Sequence, residues 1–298
     1  MAARNGDAKP HSAADSRSRG TGARGPDVRF GDLKTQSLDD YLAAAPPAAP
    51  WFFVHIPKTA GSSFSNELRA VLKPYKNVHI DYTNRDRTHD QQLNDCVDQF
   101  IASPDLARVR SASGHIPFPL ATRIQAARPE LQLMTILRAP VARVVSDYRY
   151  QRTEMHPPHR QFIAQFPTLL SYVEHPASHD KMARFVAGPQ ADRATVLRNA
   201  MEKFAFIGLL EMYAFSFTTF FALTGNPGRM PREHLRRTPA TRETEVEVTP
   251  EIVARIREKN PLDVALYSHV HAILRPHRDA RLQKRQPKGR GDGDAAVL

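Results

Sequence analysis

Trp51-Phe-Phe-Val-His-Ile56, running into Pro57-Lys-Thr-Ala-Gly-Ser62, is the stretch from which the rest of the chain can be read. Its first half is apolar on both faces and too short for a helix, which suits a parallel strand buried on both sides. Beyond the loop, Phe64, Leu68, Val71 and Leu72 recur at i, i+4, i+7 and i+8, a helical stripe. Strand, loop and helix in that order make the first half of a βαβ unit.

The alternation continues outward. Val78–Tyr82 reads as a strand, Leu93, Val97, Phe100 and Ile101 as a helix, Val109–Gly114 as a short strand, and Leu120, Ile124 and Ala127 as another helix. Leu131–Leu137 is a second clear strand, and Pro140 opens a helix carrying Val141, Val144, Val145 and Tyr148, proline being favoured at a first helical position. Further on, the pattern is mostly helical, with a strand at Phe204–Leu210 and late helices at Pro250–Lys259 and Leu262–Leu274. The expected fold is therefore α/β: a three-layer arrangement with a central parallel sheet flanked by helices and a helix-rich C-terminal half.

Composition bounds the rest. The 298 residues carry a formal net charge of +11 and are 41% hydrophobic, enough for a substantial core. Residues 1–27 contain no Val, Leu, Ile, Phe, Tyr or Trp, and Ala43–Pro50 is a Pro/Ala linker. Residues 275–298 hold seven basic against three acidic residues. The expected division is a disordered leader and linker over 1–50, a domain over 51–274 and a basic disordered tail over 275–298. One cysteine, Cys96, excludes an intramolecular disulfide framework and a multi-cysteine metal site, and is expected to be inert packing. No apolar run reaches the length of a membrane span, and no secretory segment is visible, so a cytoplasmic protein is expected.

The loop itself points to an anion. A buried strand delivers it to a helix amino terminus, where unclaimed N–H groups and the helix dipole favour negative charge. Gly61 allows close backbone approach, Thr59, Ser62 and Ser63 add hydroxyls, and Lys58 adds a positive charge. The order differs from a nucleoside-triphosphate loop, because the lysine precedes the glycine and no glycine opens the loop. A second grip follows at the end of the other clear strand. Arg138 stands where a nucleotide hydrolase often places a magnesium-binding Asp, and Ser146 lies in the second turn of the following helix. Two phosphate grips at strand tips suit a nucleotide phosphorylated at both ends of its ribose.

At this point the chain resembles a family. His55–Ser63 looks like the 5′-phosphosulfate loop of sulfotransferases, and Leu137-Arg-Ala-Pro-Val-Ala-Arg-Val-Val-Ser-Asp-Tyr148 looks like their 3′-phosphate motif. The branch it most resembles is the carbohydrate sulfotransferases related to heparan sulfate 2-O-sulfotransferase. Weaker echoes are Ser113–Phe118, Met182–Gly188, Phe206–Glu211 and Asn260–Tyr267. Two positions depart from the pattern: Ala139 replaces the usual Asp, and Asp180 stands where an Asn is common, which puts substrate binding near Asp180 in question.

The resemblance implies a P-loop-like fold and transfer of a sulfuryl group from 3′-phosphoadenosine 5′-phosphosulfate (PAPS) to a hydroxyl of a glycan, glycolipid or related acceptor. Adenosine 3′,5′-bisphosphate would be the product, with no metal and no specific nucleic acid involved. Lys58 would stabilise charge on the leaving phosphate. Thr59, Ala60, Gly61, Ser62 and Ser63 would hold the 5′-phosphate, and Arg138 and Ser146 the 3′-phosphate. His115, in the Gly-His pair, is the expected general base, while His55 reads as a packed histidine. Glu211 is expected to be structural, with substrate binding or orienting a loop residue as the alternatives; Arg236, Arg237 and Thr238 are either a loop over the nucleotide or a solvated charge run; and residues 82–92 and 149–180 are expected to build the acceptor pocket. The competing readings are a P-loop-type nucleotide kinase, weakened by the order of lysine and glycine and by Arg138, and a non-enzymatic binder of anionic polymers, suggested by charge alone.

Overall fold

The computed structural model describes residues 28–46, 48–81, 86–156, 158–231 and 244–285. A 3₁₀ turn, Phe30–Lys34, and helix α1 (Leu38–Ala44) precede strand β1 (Trp51–Val54). Then come α2 (Gly61–Val71), β2 (Tyr75–Asn77), α3 (His89–Ile101), β3 (Ser111–Gly114), α4 (Phe118–Ala127) and β4 (Gln132–Leu137). The rest is helical apart from β5 (Phe206–Leu209): α5 (Pro140–Gln151), α6 (His159–Gln165), α7 (Leu169–Glu174), α8 (Lys181–Ala187) and α9 (Arg193–Glu202) precede that strand. α10 (Tyr213–Leu223), α11 (Pro250–Lys259) and α12 (Pro261–Arg285) follow it.

The five strands form one sheet in the order β2-β3-β1-β4-β5, every pair parallel. This is the expected α/β architecture, with the strand that feeds the anion loop at its centre. All four residues of β1 are buried, as a strand covered on both faces requires. Its alternate side chains divide the core. Trp51 and Phe53 meet Phe220 of α10 and Phe64 of α2 at 5.0 Å, while Phe52 points the other way, 6.3 Å from Phe100 of α3. A second, smaller core lies beyond the sheet, where Val144 and Tyr148 of α5 pack with Phe162, Phe166, Tyr172 and Ile256. Among the described residues no helix is long and apolar enough to cross a membrane.

Three sequence-based boundaries move. The strand expected over Val78–Tyr82 lies earlier, at Tyr75–Asn77. Val78 and Ile80 are buried, so their alternation reports packing; Val78 still donates to the Ser113 carbonyl, but the ladder ends there, with Tyr82 outside the described residues. The leader expected over 1–50 is structured from Val28 onward: Val28, Phe30, Leu33 and Tyr41 are buried in the main core. The composition argument applied to residues 1–27 and did not extend to these spaced apolar side chains. The tail expected from 275 begins as helix instead, because α12 continues through Pro276 to Arg285. His277 bonds the Leu33 carbonyl at 2.8 Å and Lys284 pairs with Asp39 at 3.1 Å, so the leader supplies partners for this last stretch.

Candidate active site

The loop after β1 is curled by two non-glycine residues in the left-handed region, Lys58 at φ 71° and Ala60 at φ 70°. Such residues cost about 1–2 kcal/mol each and persist where surroundings dictate them. Thr59, between them, is fully buried, and its hydroxyl donates to the Ile56 carbonyl at 2.9 Å. That hydroxyl therefore ties the loop to its own strand rather than facing a ligand, which corrects the role expected for it. Gly61 opens α2 beneath the His55 ring: a Cβ there would lie 1.8 Å from the imidazole. The glycine is required by this histidine, which stacks on Phe53 at 5.4 Å. The first turn of α2 begins at Gly61, Ser62 and Ser63, and the N–H groups of a helix amino terminus favour an anion.

The turn after β4 is held from outside. Ala139 donates its N–H to Glu211 Oε1 at 2.9 Å, and burial together with the charge of the same carboxylate pushes the nearby Tyr267 phenol up. Arg138 donates through Nη1 to the Lys58 carbonyl at 3.2 Å, joining the two strand tips directly. Burial pushes the Arg138 guanidinium below its ordinary value; Glu211 opposes this, and the nearby cations Arg143 and Arg149 add to it. Ser146 faces the same cleft from α5.

His115 follows β3. Gly114, the residue before it, has no room for a side chain, since a Cβ would fall 2.1 Å from the Val78 carbonyl. Nδ1 of His115 lies 2.7 Å from the His55 carbonyl. A carbonyl only accepts, so Nδ1 carries the proton and Nε2 of the neutral ring carries the lone pair. The two rings are 4.1 Å apart. Burial holds both imidazoles below the usual histidine range, with the bond to the His55 carbonyl partly opposing it at His115. The Lys58 ammonium lies 4.0 Å from the centre of the Tyr150 ring.

Behind the cleft lies a charged network of which the sequence reading named one member, Asp180. Asp147 accepts from Lys181 Nζ at 2.6 Å, Tyr172 Oη at 3.0 Å and Arg143 Nη1 at 3.2 Å. Burial raises its carboxyl, but Lys181 and Arg143 outweigh that and hold it below the ordinary range. Arg143 is wholly buried and lies 3.7 Å from Asp263, whose carboxyl burial pushes up to about 6. Asp263 accepts from the Met182 and Ala183 N–H groups of α8. Asp180 accepts in turn from Leu262 and Asp263 N–H, both at 2.9 Å, so it caps α12. Only the i, i+4 spacing of Arg143 and Asp147 was legible beforehand.

Lys58, Ala60, Gly61, Ser62, Ser63, His115, Arg138 and Ser146 all line one cleft of about 2570 Å³, with Thr59 just beneath it. Arg149 and Tyr150, from the expected acceptor segment 149–180, also line it, as do Arg69 and Lys181, which were not singled out as site residues. Glu211 stands behind the β4 turn and orients it. Arg236, Arg237 and Thr238 lie outside the described residues, as do residues 82–85 of the expected acceptor loop. Cys96 is half-buried, donates to the Leu93 carbonyl at 3.2 Å, and has its thiol raised by burial, which suits packing. Among the described residues no group of three or more His, Cys, Asp or Glu side chains is placed to hold a metal ion.

The sequence profile of the sulfotransferase family matches residues 47–269. No curated relative matches. Among solved structures, a sulfotransferase from Alicyclobacillus acidocaldarius is similar at 16% identity and a TM-score of 0.42, covering 78% of this chain and 99% of that one. Mouse sulfotransferase SULT7A1 complexed with PAP is similar at 13% identity and a TM-score of 0.39, covering 76% of this chain and 69% of the mouse chain. The profile spans both strand-tip motifs and most of the helical half that supports them, and the chain belongs to the sulfotransferase family.

Proposed function

We propose that this sulfotransferase is a cytoplasmic enzyme that uses PAPS to sulfate a hydroxyl of a carbohydrate or related acceptor, with His115 as general base. The observation that carries the reading is the convergence of three strand tips, at Lys58–Ser63, Arg138 and His115, on one cleft. The residues fit the donor. The cleft gathers Lys58, Arg138, Arg149 and Lys181 against two lining carboxylates, Asp147 and Glu245, and Asp147 is already shared between Lys181 and Arg143. An anion with several charges relieves that excess.

When bound, PAPS supplies the sulfuryl group that passes to the acceptor oxygen. The N–H groups from Thr59 to Ser63 and the Ser62 and Ser63 hydroxyls hold the 5′-phosphate, and Arg138 and Ser146 hold the 3′-phosphate. Lys58 offsets negative charge on the departing side, a preorganised stabilisation that needs no solvent reorganisation. His115 accepts the acceptor proton at Nε2, its ring orientation fixed through Nδ1. The carbohydrate acceptor follows from the resemblance to heparan sulfate 2-O-sulfotransferase. A nucleotide kinase is not favoured, since β4 ends in Arg138 and the family profile covers both motifs.

Isothermal titration with adenosine 3′,5′-bisphosphate in the absence of divalent metal is expected to show tight, saturable binding. Radiolabelled PAPS with a panel of glycans is then expected to label one acceptor class. No binding of the bisphosphate, or binding only of ATP with magnesium, overturns the reading.

A further inference from the structure

Tyr150 lines the cleft, yet the proposed mechanism gives it no task. It stands on α5 four residues after Ser146, so the two side chains share a face of the helix. Its ring faces the Lys58 ammonium, whose Nζ lies 4.0 Å from the ring centre. A lysine stem is long and flexible, and its ammonium samples many positions unless something holds it. A charge stabilises a departing group best when it is in place beforehand.

The ring suits that purpose. An aromatic face attracts a cation through its quadrupole and brings no opposite charge. A carboxylate in the same place would also hold Lys58, but it would neutralise the ammonium and compete with a phosphate for it. Tyr150 is itself braced. Its hydroxyl donates to the Met155 carbonyl at 3.4 Å. The His156 ring lies 6.1 Å from the Tyr150 ring and 6.4 Å, edge-on, from Phe162 of the second core. At the other end of Lys58, Arg138 Nη1 donates to its carbonyl. The segment of β4 and α5 thus grips Lys58 twice, by backbone and by ammonium. The backbone grip and the left-handed φ of 71° set where the stem leaves the loop, and the ring sets where it ends.

We propose that Tyr150 is the positioning residue of Lys58: its ring holds the ammonium in the cleft, with its charge undiminished, before the nucleotide arrives. The inference rests on the PAPS reading above, from which Lys58 takes its role.

The first test needs no nucleotide. Protons above a ring face are shifted upfield by the ring current, so a chain isotope-labelled at lysine Cε is expected to show one lysine signal upfield of the rest. That signal should vanish in Lys58→Arg, which assigns it, persist in Tyr150→Phe, and return to the ordinary lysine position in Tyr150→Leu. No such signal in the wild-type chain, or one that survives in Tyr150→Leu, overturns the proposal.

The second test reads departure of the phosphate with water as the acceptor: PAPS and water give inorganic sulfate and adenosine 3′,5′-bisphosphate, and the sulfate is counted from radiolabelled PAPS. At saturating PAPS the rate in Tyr150→Leu is expected to fall about threefold to thirtyfold, the range of one cation–π contact expressed as a rate. Titrated affinity for the bisphosphate is expected to change less than about twofold, which also reports an intact fold. Tyr150→Phe, which keeps the ring, is expected to recover most of the rate. In a Lys58→Ala background the leucine change is expected to add less than about twofold, since no ammonium is left to hold. A rate loss matched by an equal loss of bisphosphate affinity, or one undiminished in the Lys58→Ala background, overturns the proposal. A wild-type chain that binds no bisphosphate overturns the PAPS reading itself, and the role of Tyr150 falls with it.

Discussion

The two strand tips that build the cleft are shaped in opposite ways. The loop after β1 is largely self-made: Thr59 bonds back to Ile56, Lys58 and Ala60 supply the left-handed turns, and Gly61 tucks under a histidine six residues earlier. The turn after β4 contains little that fixes it. Glu211 and Met182, both remote in sequence, hold the Ala139 and Arg138 N–H groups, and Arg138 leans on the first loop. A self-made loop keeps its form when distant elements shift, whereas a braced turn transmits their displacement to the ligand. Changes in the first should therefore alter chemistry and local fold, and changes around the second should alter nucleotide affinity from a distance.

The largest effects are expected where the loops touch reacting groups. Lys58→Ala should lower kcat by about 10²–10³-fold, as loss of a preorganised charge does, with bisphosphate affinity much less affected. His115→Gln should lower kcat by about 10²–10⁴-fold while leaving bisphosphate titration unchanged. Burial holds His115 below the usual histidine value, so the acid limb of the wild-type rate profile should lie below pH of about 6.5.

Gly61→Ala tests the self-made loop next. Its methyl would collide with the His55 ring, and a destabilisation of about 1–3 kcal/mol is expected from thermal or denaturant unfolding. Adding His55→Ala should restore part of the lost stability, since it removes the colliding ring. Glu211→Ala tests the braced turn. It strips the Ala139 N–H of its acceptor, and a loss of about tenfold in bisphosphate affinity is expected, with Glu211→Gln close to wild type because it keeps an oxygen there.

The smallest effect is on stability against pH. His55 and His115 both have folded values below the unfolded one, so the unfolded chain binds more protons as pH falls through about 6.5. Their contribution is intact above that pH and lost progressively below it, until the folded values are passed. Melting curves from pH 7 to about 5 should show this decline, and it should be shallower in His55→Asn.

The self-made loop was also the readable one. Strand, loop and helix lie within one continuous segment, so burial of β1, the helical stripe of α2 and the amino-terminal N–H groups all follow from local pattern. Arg138 and Ser146 were readable for the same reason, and so was the parallel sheet with its helix-rich second half. What escaped notice depends on residues brought together across the fold. The Thr59 hydroxyl has its acceptor three residues back, yet only its burial shows that no ligand claims it. The Asp147 network joins α5, α7, α8 and α12, and spacing within one helix reveals only its Arg143 pair. Asp180 stood out as a departure from the family pattern, and its task, capping α12, is visible only once residue 263 lies beside it.

The segment ahead of β1 has a consequence for how the molecule is handled. β5 is an outer strand of the sheet, and just before it the Phe204 carbonyl accepts from the Phe30 N–H at 2.8 Å, while the Tyr41 hydroxyl bonds the Ala205 carbonyl. Exposed strand margins invite pairing with other chains. A recombinant fragment started at the Pro/Ala linker would uncover both carbonyls together with the apolar surface under Phe30 and Tyr41, and clumping of such a fragment would reflect a missing cover rather than an unstable catalytic fold.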